Sequence, residues 1–259
     1  MKNEAGLAFH LHIKPGDVGR YVLLPGDPAR SEKIARFFDN PQFVAQNREY
    51  VTWTGTLLGE KVSVVSTGIG CPSTAIAVEE LIEAGADTLI RVGSSGSMQP
   101  YVHTGDVVVV TAAIRDEGTT SHYLPMEFPA VAHIDVINAL SAGAKTLGLK
   151  FHTGICQSKD SFYGEVERPR MPMAQHLGDR WNAWIAGGAV CSEMEAAALF
   201  IISAIHRKRA GGAMLVINES DLAEVDDTDA AKHMAEFDAD RVIKVAIEGL
   251  KQLITADRT

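Results

Sequence analysis

The sequence is poor in cysteine, in aromatic residues and in positive charge, and it has no long apolar run. Three cysteines in 259 residues, Cys71, Cys156 and Cys191, are odd in number, widely spaced and in no metal-ligating pattern. This excludes a disulfide framework or a cysteine zinc site and reads as small buried side chains in a reducing compartment, the cytoplasm. The longest apolar candidates, residues 107–114 and 196–205, fall well short of the roughly 20 that a membrane-spanning helix requires. The N-terminus, Met-Lys-Asn-Glu-Ala-Gly, has no apolar stretch behind its lysine, unlike a secretory signal. Lys and Arg number 24 against 33 Asp and Glu, a net charge of −9. Phosphates of nucleic acid or of an anionic membrane would repel such a surface, so neither is an expected partner. No repeat, low-complexity tract or Pro/Gly/Ser-rich linker divides the chain, and a single domain over residues 1–259 is expected.

What is present is a composition for a sizeable core, 46% hydrophobic and 22% charged. Short β-branched runs at 21–24, 61–67, 88–92, 107–111 and 213–218 read as strands, several apolar at consecutive positions, which suits burial on both faces. Helical patterns lie between them at 28–38, 73–83, 134–147, 193–206 and 230–254. The first has Asp27 as cap and Pro28 at its first position. The alternation argues an α/β domain around a largely parallel or mixed sheet. Ligands of such sheets gather at strand carboxyl ends, beside glycines and helix N-termini. Three segments have that form: Pro25-Gly26-Asp27-Pro28-Ala29-Arg30, Thr67-Gly68-Ile69-Gly70-Cys71-Pro72-Ser73 and Arg91-Val92-Gly93-Ser94-Ser95-Gly96.

Arg91 ends the apolar run Thr88-Leu89-Ile90 and directly precedes a Gly/Ser loop. A guanidinium is costly to bury unless an anion meets it. Its planar fork suits phosphate, and an internal Asp or Glu would satisfy it as well. Gly26 permits close approach of backbone to a ligand. The helix at Pro28 points free N–H groups and a positive dipole end the same way, with Arg30 one turn inside. Two arginines beside two glycine loops specify an anion without naming it. Thr67–Ser73 lacks the third glycine of a dinucleotide fingerprint and reads as a tight turn with Ser73 as helix cap. Glu193-Met194-Glu195 reads as dipole-complementing acids in a first helical turn, or as acceptors for neighbouring sugar hydroxyls. His10 and His12 sit near the N-terminus, where solvated histidines are usual. Phe162-Tyr163 followed by Arg168 forms either loop packing or an aromatic wall with a donor for a flat heterocycle. The acidic run 219–229 reads as a solvated mobile loop or lid.

Taken in order, these pieces resemble the nucleoside phosphorylase-I family, and within it the bacterial uridine-cleaving branch. The shared motifs run nearly end to end: Phe9-His10-Leu11, Pro25-Gly26-Asp27-Pro28, Asn47-Arg48-Glu49, Ser66-Thr67-Gly68-Ile69-Gly70, residues 75–81, Arg91-Val92-Gly93, residues 127–132 and Glu193-Met194-Glu195. The resemblance implies a single α/β domain around a mixed, partly closed sheet. It also implies a hexamer built as a trimer of dimers, in which each site borrows residues from a neighbour. Phosphate would be held by Gly26, Arg30, Arg91 and Ser94, with Arg48 from the partner. Glu195 would bind the ribose 2′- and 3′-hydroxyls beside Met194 and Glu193, and the partner's His10 would reach the 5′-hydroxyl. Phe162 would pack on the base and Arg168 would hydrogen-bond it. Glu49, Ile69 and Ser73 match positions that coordinate a monovalent cation, potassium, at the dimer interface; no other cofactor is implied. The reaction would be attack of phosphate on C1′ of a nucleoside, uridine giving uracil and ribose 1-phosphate.

The base site departs from the pattern. Val166 stands where the branch has a base-reading Gln, and Asn218 is followed by Glu219 where an Arg is usual. The position where the purine branch carries its protonating Asp is Ile217. Glu165, Glu219 and Asp221 are then candidates to protonate a departing base, and a phosphorylase of purine or modified nucleosides is the alternative. A nucleoside hydrolase is disfavoured by the three arginines, because water needs no anion site. A non-catalytic nucleoside-binding protein is a fourth reading.

Overall fold

Ten strands form one mixed sheet in the computed structural model, which describes residues 2–219, 238 and 240–258. Its centre is β5 (Thr88–Ser97), ten residues long. One edge of β5 pairs in parallel with β10 (Arg209–Asn218) along nearly its full length. From β10 the pairing passes through β6 (Val107–Asp116), β8 (Phe151–Lys159) and β9 (Cys191–Glu193) and returns to β5, so five strands close on themselves. Outward from β5 the sheet continues through β1 (Tyr21–Leu24), β4 (Glu60–Val65), β3 (Tyr50–Leu57) and β2 (Asp39–Asn47). The short β7 (Ala130–Val131) adds to β6. The expected mixed, partly closed sheet is therefore observed.

The same topology opens the site. The second edge of β5 is shared by two strands. β1 covers it only as far as Leu24 opposite Arg91, and β9 takes over only at Gly96 opposite Ser192. Residues 92–95 have no strand neighbour on that edge, so the sheet splits immediately beyond Arg91.

Among the described residues seven α-helices flank the sheet: α1 (Pro28–Ala35), α2 (Cys71–Ala84), α3 (Ile134–Thr146), α4 (Tyr163–Val166), α5 (Ala174–Ala186), α6 (Ala196–Ile205) and α7 (Asp240–Ala256). α2 and α6 bury one core cluster with Leu11, Val65 and Val108. α6 is apolar all round and almost wholly buried, as a helix without a polar face must be. α1, α3 and α7 cover the other face through Ile34, Leu140 and Leu250. All three cysteines are buried and unpaired. No described helix is long and apolar enough to cross a membrane.

Several boundaries differ from expectation for identifiable reasons. Residues 93–96, read as a Gly/Ser loop, continue β5, because pairing with β10 outweighs their weak strand propensity. α2 starts at Cys71 with Gly70 as N-cap at φ 93°. Ser73 therefore lies inside the helix and is not its cap. Glu193 ends β9 and does not open a helix. Its carboxylate accepts from the backbone N–H groups of Glu195 and Ala196, capping α6 from outside. The hairpin β2–β3 and strands β7, β8 and β9 were not expected. β2 is mostly exposed, without a clean alternation, and β9 is only three residues long. Of the expected helix 230–254, the part from Asp240 is α7, and residues 230–237 and 239 lie outside the described residues. So does the acidic run beyond Glu219, including Asp221.

A structural arginine was also overlooked. Arg115 is buried at the end of β6 and donates to the carbonyls of Thr120, Leu124, Pro125 and Phe128 and to Thr120 Oγ1. One guanidinium thus ties down the whole 120–128 segment. Arg115→Met fills similar volume and donates nothing. It should cost about 3 kcal/mol, read as a loss of roughly 10 °C in Tm, with the segment newly open to proteolysis.

Candidate active site

Arg91 projects from the last position of β5 that β1 covers, and it is buried. Its Nε donates to Glu193 Oε2 at 2.8 Å and its Nη2 contacts Glu195 Oε2. Its Nη1 is buried with no hydrogen-bond partner. Two nitrogens are thus paired with internal acids, as the second reading of this residue expects, and one is left over. Burial would lower the guanidinium pKa, but the Glu195 and Glu193 carboxylates outweigh it and hold the pKa above its ordinary value.

The two glutamates are treated differently by their surroundings. Burial pushes Glu193 up, but Arg91, Ser158 and the N–H groups of Ala196 and Glu195 overcompensate and hold it below the usual carboxylate range. Ser158 Oγ contacts Glu193 Oε1 and itself accepts from Ala197 N at 2.9 Å. Glu195 accepts a single backbone hydrogen bond, from Gly70 N at 2.7 Å. Burial and the neighbouring Glu193 charge, opposed by Arg91, push Glu195 up to about 6. Glu193 is thus the fixed counter-charge and Glu195 the under-satisfied acceptor.

The glycine loops complete the pocket. Thr67 N donates to Pro25 O at 2.9 Å and Gly68 N to Gly26 O at 3.0 Å, joining the first two loops. A Cβ on Gly26 would lie 3.9 Å from the unpartnered Arg91 Nη1, so this loop borders the free nitrogen. Gly93 is required for another reason: a Cβ there would come within 3.0 Å of the Arg91 guanidinium and 2.7 Å of Met214 Sδ. Asp27 caps α1 through Ala29 N at 2.9 Å. Arg30, half-buried in the first turn, donates to Val92 O at 3.3 Å on the open edge of β5. Burial, then the nearby charge of Arg91, lowers its pKa. Among the described residues Arg30 has no carboxylate salt bridge. Two cations therefore share the mouth of the split, and Ser94 lies on the same stretch of open edge.

Other predicted residues are placed apart. Arg48 is exposed in the β2–β3 turn at φ 53° and makes no hydrogen bond or salt bridge among the described residues. His10 is held by Glu80, and among the described residues neither Arg48 nor His10 is hydrogen-bonded or ion-paired to Arg30 or Arg91. Glu49 Oε1 accepts from Ser73 Oγ at 2.9 Å, and Ile69 is among the most exposed apolar residues. Met194 is half-buried and its carbonyl accepts from Cys71 Sγ. Phe162 and Tyr163 are exposed and stacked edge to face at 5.5 Å. Val166 ends α4, and Ile217 lies near the end of β10; both are half-buried.

Arg168 lies 5.2 Å above the Trp181 ring, beside a cavity of about 140 Å³ between β8, α4 and α5. Glu165 faces that cavity too, 3.0 Å from Lys159 Nζ and accepting from Ser192 Oγ at 2.9 Å. Ser192 and Glu193 alternate along β9 and point to opposite faces, so Glu165 is committed away from Arg91. Glu219 is likewise diverted, accepting from Thr104 N and facing His103. Neither acid is poised as a proton donor at the split. Sequence reasoning gave no individual role to Ser158, Gly70, Asn47 or Glu80. The last three lie within motifs quoted above, and Ser158 alone carried no signal.

A guanidinium with one free nitrogen, a second cation and paired acids on a split α/β sheet define an anion-handling enzyme pocket. The model of the Phosphorylase superfamily matches residues 20–255, and the chain belongs to that superfamily. The protein is 49% identical to the uridine phosphorylase of Treponema pallidum over 249 residues, covering 96% of this chain and 95% of the relative. It is 46% identical to the uridine phosphorylase of Thermococcus kodakarensis over 81% of this chain and 76% of the relative. It is 38% identical to that of Escherichia coli over 95% and 98%.

Proposed function

We propose that the protein cleaves the N-glycosidic bond of uridine with inorganic phosphate, giving uracil and ribose 1-phosphate. The observation that carries this reading is the unpartnered, buried Arg91 Nη1 facing Gly26, with Arg30 beside it. A phosphate oxygen supplies what that nitrogen lacks. Gly26, Arg30, Arg91 and Ser94 hold the phosphate on one face of the sugar, with Arg48 contributed by a neighbouring subunit. As C1′ loses the base it gains positive charge, and the bound phosphate serves as nucleophile and counter-charge together. Glu195, flanked by Met194 and Glu193, accepts the 2′- and 3′-hydroxyls of the ribose. His10 of a neighbour meets the 5′-hydroxyl, and Phe162, Val166 and Ile217 surround the base, which Arg168 reaches by swinging off the Trp181 ring.

The exposure of Arg48 and the partial exposure of His10 support a shared site, and with it the hexamer built as a trimer of dimers. Glu49 carboxylate, Ser73 hydroxyl and Ile69 carbonyl make an oxygen-only set suited to a hard monovalent cation. Three oxygens from one chain leave such an ion incomplete, and a second copy would complete it between dimer halves. The three reduced cysteines support a cytoplasmic setting.

The test is a panel of nucleosides assayed with and without phosphate. Uridine absorbance should fall only when phosphate is present, with equimolar ribose 1-phosphate released. Turnover indifferent to phosphate would identify a hydrolase. Faster cleavage of inosine, adenosine or a methylthio-nucleoside would transfer the reading to the purine branch, which Val166 and Glu219 favour over the pyrimidine one.

A further inference from the structure

Three nitrogens converge on the carboxylate of Glu80, one of them shared between its two oxygens, and these bonds belong to no part of the pocket described above. Glu80 lies in the middle of α2 and is buried. Its two oxygens each lie 3.0 Å from His10 N, its Oε2 accepts from Leu11 N at 2.8 Å, and its Oε1 meets His10 Nδ1 at 2.8 Å. The carbonyl of His10 is held as well, by Asn47 Nδ2 at 2.7 Å. Backbone N–H, backbone carbonyl and ring are therefore all fixed for a residue only ten positions from the N-terminus. Asn47 directly precedes Arg48, so the clamp joins His10 to the turn that presents that arginine.

Anchoring the segment alone would need only the two backbone bonds. The third, to Nδ1, has a chemical consequence. A carboxylate only accepts, so Nδ1 must carry the proton, and in the neutral ring Nε2 is left as a bare acceptor. Nε2 has no partner among the described residues, and the imidazole is about a quarter exposed, at 27%. The side chain is thus set to receive a hydrogen bond from outside its own protomer.

We propose that Glu80 is a positioning residue that fixes His10 in the Nδ1–H tautomer, so that Nε2 accepts the proton of the ribose 5′-hydroxyl in a neighbouring subunit's site. The inference rests on the reading above that His10 serves that hydroxyl. Its reach is specific: Glu80 acts on binding of one hydroxyl and leaves phosphate, base and bond cleavage alone. Glu80→Gln keeps the volume and an acceptor oxygen but no longer dictates the tautomer.

The experiment compares wild type, Glu80→Gln, His10→Phe and the double variant, as full-length oligomers, on uridine and on 5′-deoxyuridine. Glu80→Gln should raise KM for uridine about tenfold with kcat nearly unchanged, the signature of lost ground-state binding. KM for 5′-deoxyuridine should move less than about twofold, and Glu80→Gln should add nothing to His10→Phe. In parallel, solid-state NMR of ¹⁵N-histidine-labelled protein, with the His10 signal assigned by difference from His10→Phe, should show Nδ1–H in wild type and a changed tautomer in Glu80→Gln. An unchanged tautomer, or equal losses on both substrates, overturns the proposal and leaves Glu80 an anchor only. Failure of wild type to cleave uridine would refute the functional reading, and the NMR result would still decide the role of Glu80.

Discussion

Arg91→Ala is expected to lower kcat for phosphorolysis by about 10³-fold, and saturating phosphate should not restore it. In the proposed reaction the free Nη1 is the group that meets the phosphate, and it acts most strongly when the sugar becomes cationic and the phosphate must be held in line. An interaction worth more in the transition state than in the ground state appears in kcat. Arg91→Lys should recover little. An ammonium cannot meet Glu193, Glu195 and a phosphate from the three directions that Nε, Nη2 and Nη1 occupy.

The same substitution strands two buried carboxylates, so a stability loss must be separated from the catalytic one. Removing the cation from such a cluster costs several kcal/mol. Without Arg91 both glutamates would titrate above their unfolded values. The native state would then bind more protons than the unfolded chain, and stability would fall as pH rises. The Tm of Arg91→Ala should therefore recover on acidification. Adding Glu193→Gln should restore much of it at neutral pH, while turnover stays absent in both variants. Recovery of kcat along with Tm would show that Arg91 only supports the fold and would remove the basis for an anion site.

How much of this could be read from the chain depends on where each cause resides. Local chemistry was legible: Asp27 and Pro28 start α1 as expected, and Arg91 was singled out by its place after an apolar run. The partly closed sheet came through resemblance, not through periodicity, as did the assignment of residues to phosphate and ribose proposed above. What remained hidden is held by distant partners. Residues 93–96 look like a loop because their strand character is supplied by β10, more than a hundred residues away. Glu193 looks like a helical acid because its cap is made backwards, from a strand end onto the next helix. Glu165 looked available to the base until Lys159 and Ser192 were seen to hold it on the opposite face. Glu80 differs from a surface acid of α2 only through the segment that folds over it. The pairing of residues 93–96 with β10, the Glu80 clamp and the Ser192–Glu165 bond are tertiary, and no window of sequence contains them; the cap of Glu193 is local, but only the pairing of β9 with β8 and β5 puts it in place.

The second large effect concerns Glu195 and pH. Its carboxyl sits at about 6 in the free protein, because burial and Glu193 disfavour its charge more than Arg91 supports it. Only the ionised form can accept two sugar hydroxyls and oppose the charge growing on C1′. The sign follows directly: lowering pH through about 6 protonates Glu195 and removes activity, and raising pH through it restores activity. The plot of log kcat/KM for the nucleoside should thus rise with unit slope below that point and level off above it, since kcat/KM reports groups of the free enzyme. Glu195→Gln retains an acceptor for Gly70 N but neither charge nor titration. It should lose about 10²-fold in kcat/KM at neutral pH and abolish the acidic limb. With 2′-deoxyuridine, which lacks one of the two hydroxyls, the penalty of Glu195→Gln should be smaller. If the limb persists in Glu195→Gln, another group titrates there, and the assignment of the ribose contact to this carboxylate fails.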